Sequence, residues 1–260
     1  MRVLGLDCET NGLDHKTHLL TEVGMVLFAR DWEPVKITGR LINNPKLYPL
    51  PSDIVTLTGI TDEMLQGQGE SLELVLDCLR EFEQFGYDIV VAHNLPFDKD
   101  FLMAAFEQTG QDPGHLFLKP WVCSNADVAQ HNGKRCRKLS HLAVDYGLTV
   151  DGGKLHRAVD DVLLMGAVLK AAGARADDML AYSMDPWVYI KADTEKPWLD
   201  GGASTDLARK DGYGWEKAPG TYGPVFSKQW VKRIKSKELE NEKARQVGFS
   251  RSVIESKATA

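Results

Sequence analysis

Val3-Leu4-Gly5-Leu6 is a short apolar run that ends abruptly in Asp7, Glu9 and Thr10, the pattern of a buried strand carrying carboxylates to the edge of a sheet. Two further β-rich runs, Glu22 to Phe28 and Val35 to Ile42, flank the turn-like cluster Asp31-Trp32-Glu33-Pro34. An antiparallel meander of three strands is expected. From Ser71 the period changes: Leu72, Val75, Leu76, Leu79, Phe82 and Phe85 recur at spacings of three and four behind a Ser N-cap, which predicts an amphipathic helix. Asp88-Ile89-Val90-Val91-Ala92 reads as another buried strand. A helix through Phe101, Leu102, Ala105 and Phe106 follows and stops at Gly110. Leu139 to Tyr146 and Ala158 to Ala172 add two helices, the second ended by Gly173. Strand and helix alternate, so the fold class is α/β, a mixed sheet flanked by helices.

Beyond about residue 176 the texture coarsens. Trp187, Trp198, Trp215 and Trp230 lie among glycines at 201, 202, 212, 214, 220 and 223, with little periodicity before Lys228. Trp230 to Glu242, with Lys232, Arg233, Lys235 and Lys237 ahead of Glu238, Glu240 and Glu242, predicts a basic helix. The expected organisation is a first domain over 1–175 and a small C-terminal extension over 176–260, α+β or irregular, serving as a nucleic-acid-binding or structural module.

Composition narrows the class. With 260 residues, 43% hydrophobic and 26% charged, the chain has the makeup of a globular protein and not of a disordered or fibrous one. No apolar run reaches the roughly 18 residues of a membrane helix, and Asp7 and Glu9 stand where a secretory leader would be apolar; a cytoplasmic protein with no membrane partner is expected. Cys8, Cys78, Cys123 and Cys136 form no close pair, so they read as reduced thiols. The spacing of Cys123 and Cys136 from His131 and His141 matches no zinc-finger pattern. Net charge is −6, but 1–175 carries 17 basic against 24 acidic side chains and 176–260 carries 14 against 13. The two parts differ in electrostatic kind.

Three polar strings carry the candidate chemistry. Alternate strand residues share a face, so Asp7 and Glu9 project together with Cys8 opposite. Two converging carboxylates repel one another and resist desolvation unless an oxygen-seeking divalent cation neutralises them. Asp98 follows in Ala92-His93-Asn94-Leu95-Pro96-Phe97-Asp98 at the start of a helix. His156 precedes another helix, with Asp161 five residues later in its first turn. Taken alone, the first and third strings read better as ordinary structure, rim acids and a capping histidine, and the second equally well as a helix N-terminal acid favoured by the macrodipole.

Taken together, the strings resemble the three motifs of the DEDD exonuclease superfamily, histidine subclass, over residues 1 to about 173. D-x-E is met by Asp7 and Glu9, H-N-x-x-F-D by His93, Asn94, Phe97 and Asp98, and H-x-x-x-x-D by His156 and Asp161. Leu57-Thr58-Gly59-Ile60-Thr61 is similar to the family's T-G-I-T segment after its third strand, and Trp121-Val122-Cys123 to a W-x-C strand in one branch. The tyrosine subclass would place Tyr where Arg157 stands. The resemblance implies an RNase H-like five-stranded sheet and a two-metal phosphodiesterase using magnesium or manganese, with Asp7, Glu9, Asp98 and Asp161 as metal ligands and His156 as general base. It implies hydrolysis from a 3′ end that releases nucleoside 5′-monophosphates, with Cys8, Thr10, Leu13, Ile60, Asn94 and Phe97 against the terminal nucleotide. Cys8 departs from the Thr or other small residue of many relatives.

Single-stranded DNA is the expected partner, and a free-standing DNA repair or degradation enzyme is the reading preferred over a replication proofreading subunit, since no sliding-clamp peptide of Q-L-x-L-P-L type stands in the tail. An exoribonuclease of the same family is the first alternative, because a 2′-hydroxyl is sensed by local contacts. A non-catalytic nuclease-fold binding subunit is the second. Aromatics interleaved with Lys and Arg in the tail suit strand stacking and phosphate neutralisation. Oligomeric state is left open.

Overall fold

A computed structural model describes residues 1–131, 136–152, 155–194, 201–217 and 228–254. The chain divides into two compact units, Met1–Ser183 and Met184–Ala260. Among the described residues no helix is long and apolar enough to cross a membrane.

The first unit is built on the mixed sheet that the alternating pattern calls for. Strands β1 (Val3–Thr10), β2 (Leu20–Phe28) and β3 (Pro34–Leu41) form the antiparallel meander; β4 (Ile89–Ala92) and β5 (Trp121–Cys123) add on parallel, in the order β3-β2-β1-β4-β5. Two short helices, α1 (Ser52–Thr58) and α2 (Asp62–Gln68), follow β3. The Thr58-Gly59-Ile60-Thr61 segment is the turn between them: Gly59 sits at φ 68°, and the Thr61 hydroxyl accepts from the Met64 amide to cap α2. Helix α3 (Leu72–Glu81) starts at the Ser71 cap, and α4 (Leu95–Thr109) ends at Gly110. Helices α5 (Leu139–Asp145), α6 (Ala158–Ala171) and α7 (Ala176–Met184) follow.

The period-two pattern of β1 sorts the core. Leu4, Leu6 and Cys8 pack with Leu72, Val75, Leu76 and Leu79 of α3 and Phe101, Leu102 and Phe106 of α4. Val3, on the other face, joins Val162, Met165 and Leu169 of α6, so Asp7 and Glu9 share that face. Ala176 and Met179 of α7 enter the same cluster, which extends the unit to Ser183, eight residues past the expected boundary. Helix α6 lies close to the sheet because Gly24 faces its start: a Cβ there would come within 2.4 Å of the Ala158 carbonyl carbon.

The second unit is α+β. Its strands β6 (Trp187–Asp193), β7 (Gly214–Lys217), β8 (Lys228–Lys235) and β9 (Ser250–Ile254) make an antiparallel sheet in the order β7-β8-β6-β9. Helices α8 (Ala203–Lys210) and α9 (Leu239–Ala244) accompany it. The basic helix expected over Trp230 to Glu242 is corrected: its first half is strand β8, followed by a single turn of 3-10 helix at Ser236–Glu238 and then α9. The reason lies in alternation. Trp230 and Ile234 turn into a small core with Ile190, Ala192, Ala208 and Tyr213, and the interleaved cations mask that period in the sequence.

Candidate active site

Strand β1 ends in Asp7 and Glu9, and its hydrogen-bonded neighbour β2 places Gly24 opposite Asp7 and Glu22 opposite Glu9. A hydrogen bond ties the start of helix α4 to the end of β1: the Cys8 amide donates to Asp98 Oδ1 at 2.9 Å. Asp98, 2% exposed, is thereby brought in beside the β1 pair from the first turn of α4. The imidazole of His93 is occupied structurally, Nδ1 with Ser124 Oγ at 2.9 Å and Nε2 with the Arg137 carbonyl at 2.8 Å. It ties the end of β4 to the chain beyond β5.

The third contribution comes from the entry to α6. His156 holds the left-handed φ of 61°, a conformation uncommon for residues other than glycine. Its amide donates to Asp161 Oδ2 at 3.2 Å, which binds the residue before the helix to the helix's first turn. Glu9, His156 and Asp161 offer ligand atoms that all lie within 4.8 Å of one another. Sequence positions 9, 156 and 161 therefore converge, and Asp7 and Asp98 stand next to them.

The electrostatics are those of unbalanced negative charge. The Asp7 carboxyl is raised well above its ordinary value, first by burial and then by Asp98, Glu9, Asp161 and Glu22. Glu9 is pushed up to about 8 by burial, Asp161, Glu22 and Asp98, with Arg157 opposing. Burial lifts Asp98 to about 7 against the hydrogen bond from the Cys8 amide. Asp161 is raised by burial, with His156 and its amide pulling the other way. Like charges in a desolvated site favour the protonated form. A hard divalent cation removes that penalty and is bound through oxygen donors, so the donor set fits a divalent cation. Cys8, raised well above its ordinary value by burial and then by Asp98, stays a neutral thiol.

The positions expected to meet a substrate divide into two groups. Leu13, 86% exposed, stands out on the loop after β1; Asn94 is exposed at the N-cap of α4; Phe97 is half-buried with its ring 4.8 Å from that of Phe101. Cys8 and Ile60 are buried. The Cys8 side chain belongs to the core on the face away from Glu9, and Ile60 is fully buried with Leu47, Leu50 and Leu65. Thr10 is buried too, its hydroxyl donating to the Gly12 carbonyl at 2.6 Å to shape the loop. Two site residues are invisible to motif reading: Glu22, 3% exposed, and Arg157, which donates to it through Nε at 3.1 Å and Nη2 at 2.9 Å. Their separation of 135 positions hides the pair.

Comparison with protein families matches residues 4–169 to the family described as exonuclease. DNA polymerase III subunit epsilon of Treponema pallidum is 30% identical over 156 residues, 60% of this chain and 68% of that protein. Ribonuclease T of Haemophilus influenzae is 30% identical over 138 residues, 43% of this chain and 55% of that protein. Among solved structures, Escherichia coli exonuclease I in its zinc-bound complex with single-stranded DNA superposes with a TM-score of 0.63 at 15% identity, covering 90% of this chain and 63% of that one.

Proposed function

The chain belongs to the exonuclease family, in its DEDDh 3′–5′ division, and from that membership we propose that it hydrolyses single-stranded DNA from the 3′ end, releasing nucleoside 5′-monophosphates. The observation that carries the reading is the convergence of Glu9, His156 and Asp161 within 4.8 Å beside two further carboxylates, half-buried Asp7 and buried Asp98. Asp7, Glu9, Asp98 and Asp161 would hold two divalent cations, magnesium or manganese. When bound, such ions supply Lewis-acid charge at the phosphate and favour deprotonation of the attacking water.

The chain's own residues do the rest. His156, exposed at the rim of the cluster, accepts the proton of the attacking water; imidazole is the side chain whose ordinary titration lies closest to neutral pH. Asp161 orients it by accepting from its amide. Leu13 and Phe97 pack against the terminal base, a contact tolerant of sequence because every base has a π face, and Asn94 offers polar atoms to the terminal sugar.

The second unit contributes strand binding. Trp215 is 53% exposed on edge strand β7, its ring centroid 5.7 Å from that of Trp230, and the Arg209 guanidinium lies 5.4 Å from the Trp230 ring. Exposed aromatics beside a cation make a stacking platform for unpaired bases.

DNA is favoured over RNA by the epsilon relative and by the complex of exonuclease I with single-stranded DNA. The ribonuclease T relative favours a second reading, RNA trimming. Digestion of 5′-labelled single-stranded DNA and matched RNA, with magnesium and with EDTA, separates them. A metal-dependent ladder shortening from the 3′ end of DNA is expected; a ladder on RNA alone moves the assignment to RNA, and intact label on both overturns the hydrolytic reading.

A further inference from the structure

The carboxylate of Glu22 is enclosed, its side chain 4% exposed, while that of Arg157 is 33% exposed. Its two oxygens receive three donors: Oε2 takes Arg157 Nε at 3.1 Å and the Ala158 amide at 3.0 Å, and Oε1 takes Arg157 Nη2 at 2.9 Å. Ala158 is the first residue of α6, and Arg157 at its N-cap makes no side-chain cap of its own. Glu22 thus caps α6 from across the sheet, satisfying an amide that the helix leaves without a partner. The contact needs a close approach, and Gly24 and Gly39 allow it: a Cβ at Gly39 would fall 2.6 Å from Val159 Cγ2. Both members touch the catalytic cluster through the chain. Glu22 is the register partner of Glu9, Arg157 adjoins His156, and the Arg157 carbonyl accepts from the Asp161 amide at 2.9 Å.

Resting on the exonuclease reading, we propose that Glu22 and Arg157 are positioning residues: their fork-to-carboxylate clamp fixes the start of α6 against β2 and so sets His156 and Asp161 against Glu9. Two parallel bonds from a planar guanidinium define orientation as well as distance, which a lysine cannot reproduce. The clamp also assigns the Arg157 charge. Nε and Nη2 are both engaged by Glu22, so this arginine balances the fifth carboxylate of the region and does not serve as a grip on the substrate phosphates.

The test compares kcat and KM on 5′-labelled single-stranded DNA at saturating magnesium for the full-length wild type, Glu22→Ala, Arg157→Lys and the double variant, with folding checked by circular dichroism. Arg157→Ala would strand a buried carboxylate, so it is not relied on. Glu22→Ala is expected to lower kcat roughly 10- to 100-fold, as loss of supporting contacts around a metal site does, with KM within about threefold. The Ala158 amide should exchange with deuterium faster in that variant. Arg157→Lys should fall between wild type and Glu22→Ala, and should add nothing in the Glu22→Ala background. A rise in KM with unchanged kcat in Arg157→Lys overturns the proposal in favour of a phosphate contact. Unchanged kcat and a protected Ala158 amide in Glu22→Ala overturn it outright. A folded wild type inactive on DNA and RNA is a different result: it removes the exonuclease reading, and the clamp's role in it.

Discussion

In the second unit Glu242 is 7% exposed and lies 3.2 Å from Lys232, 2.9 Å from Arg245 and 3.0 Å from Arg251. Burial raises its pKa, but the hydrogen bonds from Arg245 and Lys232 outweigh that and hold it below its ordinary value. In the first unit Asp7, Glu9, Asp98 and Asp161 are also desolvated, yet their principal neighbours are one another, and all four are raised. Glu22 lies within reach of both situations, since its charge is matched by Arg157. A buried carboxylate ringed by cations holds a fold together. A group of them facing one another costs stability as it stands and is suited to a cation from solution.

The contrast breaks most sharply on activity. Asp7→Ala should cut hydrolysis of single-stranded DNA by roughly a thousandfold or more, the scale on which loss of transition-state charge stabilisation is felt, while the circular dichroism spectrum stays that of wild type; retained activity would make the acidic cluster a bystander. Glu242→Ala should do the opposite. It leaves Lys232, Arg245 and Arg251 without their shared acceptor and should lower stability to urea by about 2 kcal/mol, the worth of lost charged hydrogen bonds, with kcat unchanged. The smallest effect is expected at Trp215→Ala, where loss of one stacking surface should raise KM for a long single strand roughly fivefold. The kcat should hold, and equal KM values would remove the second unit from strand binding.

Much of this contrast is written in local sequence. The apolar run before Asp7 and the three-four spacing from Leu72 each set one element by its own period, and the strings around Asp98 and His156 set their positions at helix starts. What local pattern cannot carry is direction and distance. Cys8 and Ile60 lie inside matched motifs, yet their side chains fill cores on other faces. Glu22 and Arg157 make their pair only because β2 and α6 meet. Strand β8 is misread as a helix because Lys232, Arg233 and Lys235 interrupt the alternation of Trp230 and Ile234; the Lys235 ammonium is fully buried on the Asp185 carbonyl at 3.0 Å, a placement that a charge run does not announce. Helices α1 and α2 have seven residues each, too few turns for a hydrophobic period to register.

If the first unit gathers charge that a divalent cation completes, thermal melting must respond to pH and metal together. A carboxyl whose folded pKa exceeds its unfolded one binds more protons when folded, so its contribution to stability is full below the unfolded value and is lost as pH rises through the folded value. For Glu9 that window runs from its ordinary 4.5 to about 8. In EDTA, wild type should therefore lose more melting temperature between pH 6 and 8.5 than Glu9→Gln does, and magnesium or manganese should restore the loss at pH 8.5 in wild type but not in Glu9→Gln. Parallel pH slopes for the two proteins, with melting indifferent to either metal, would contradict the account.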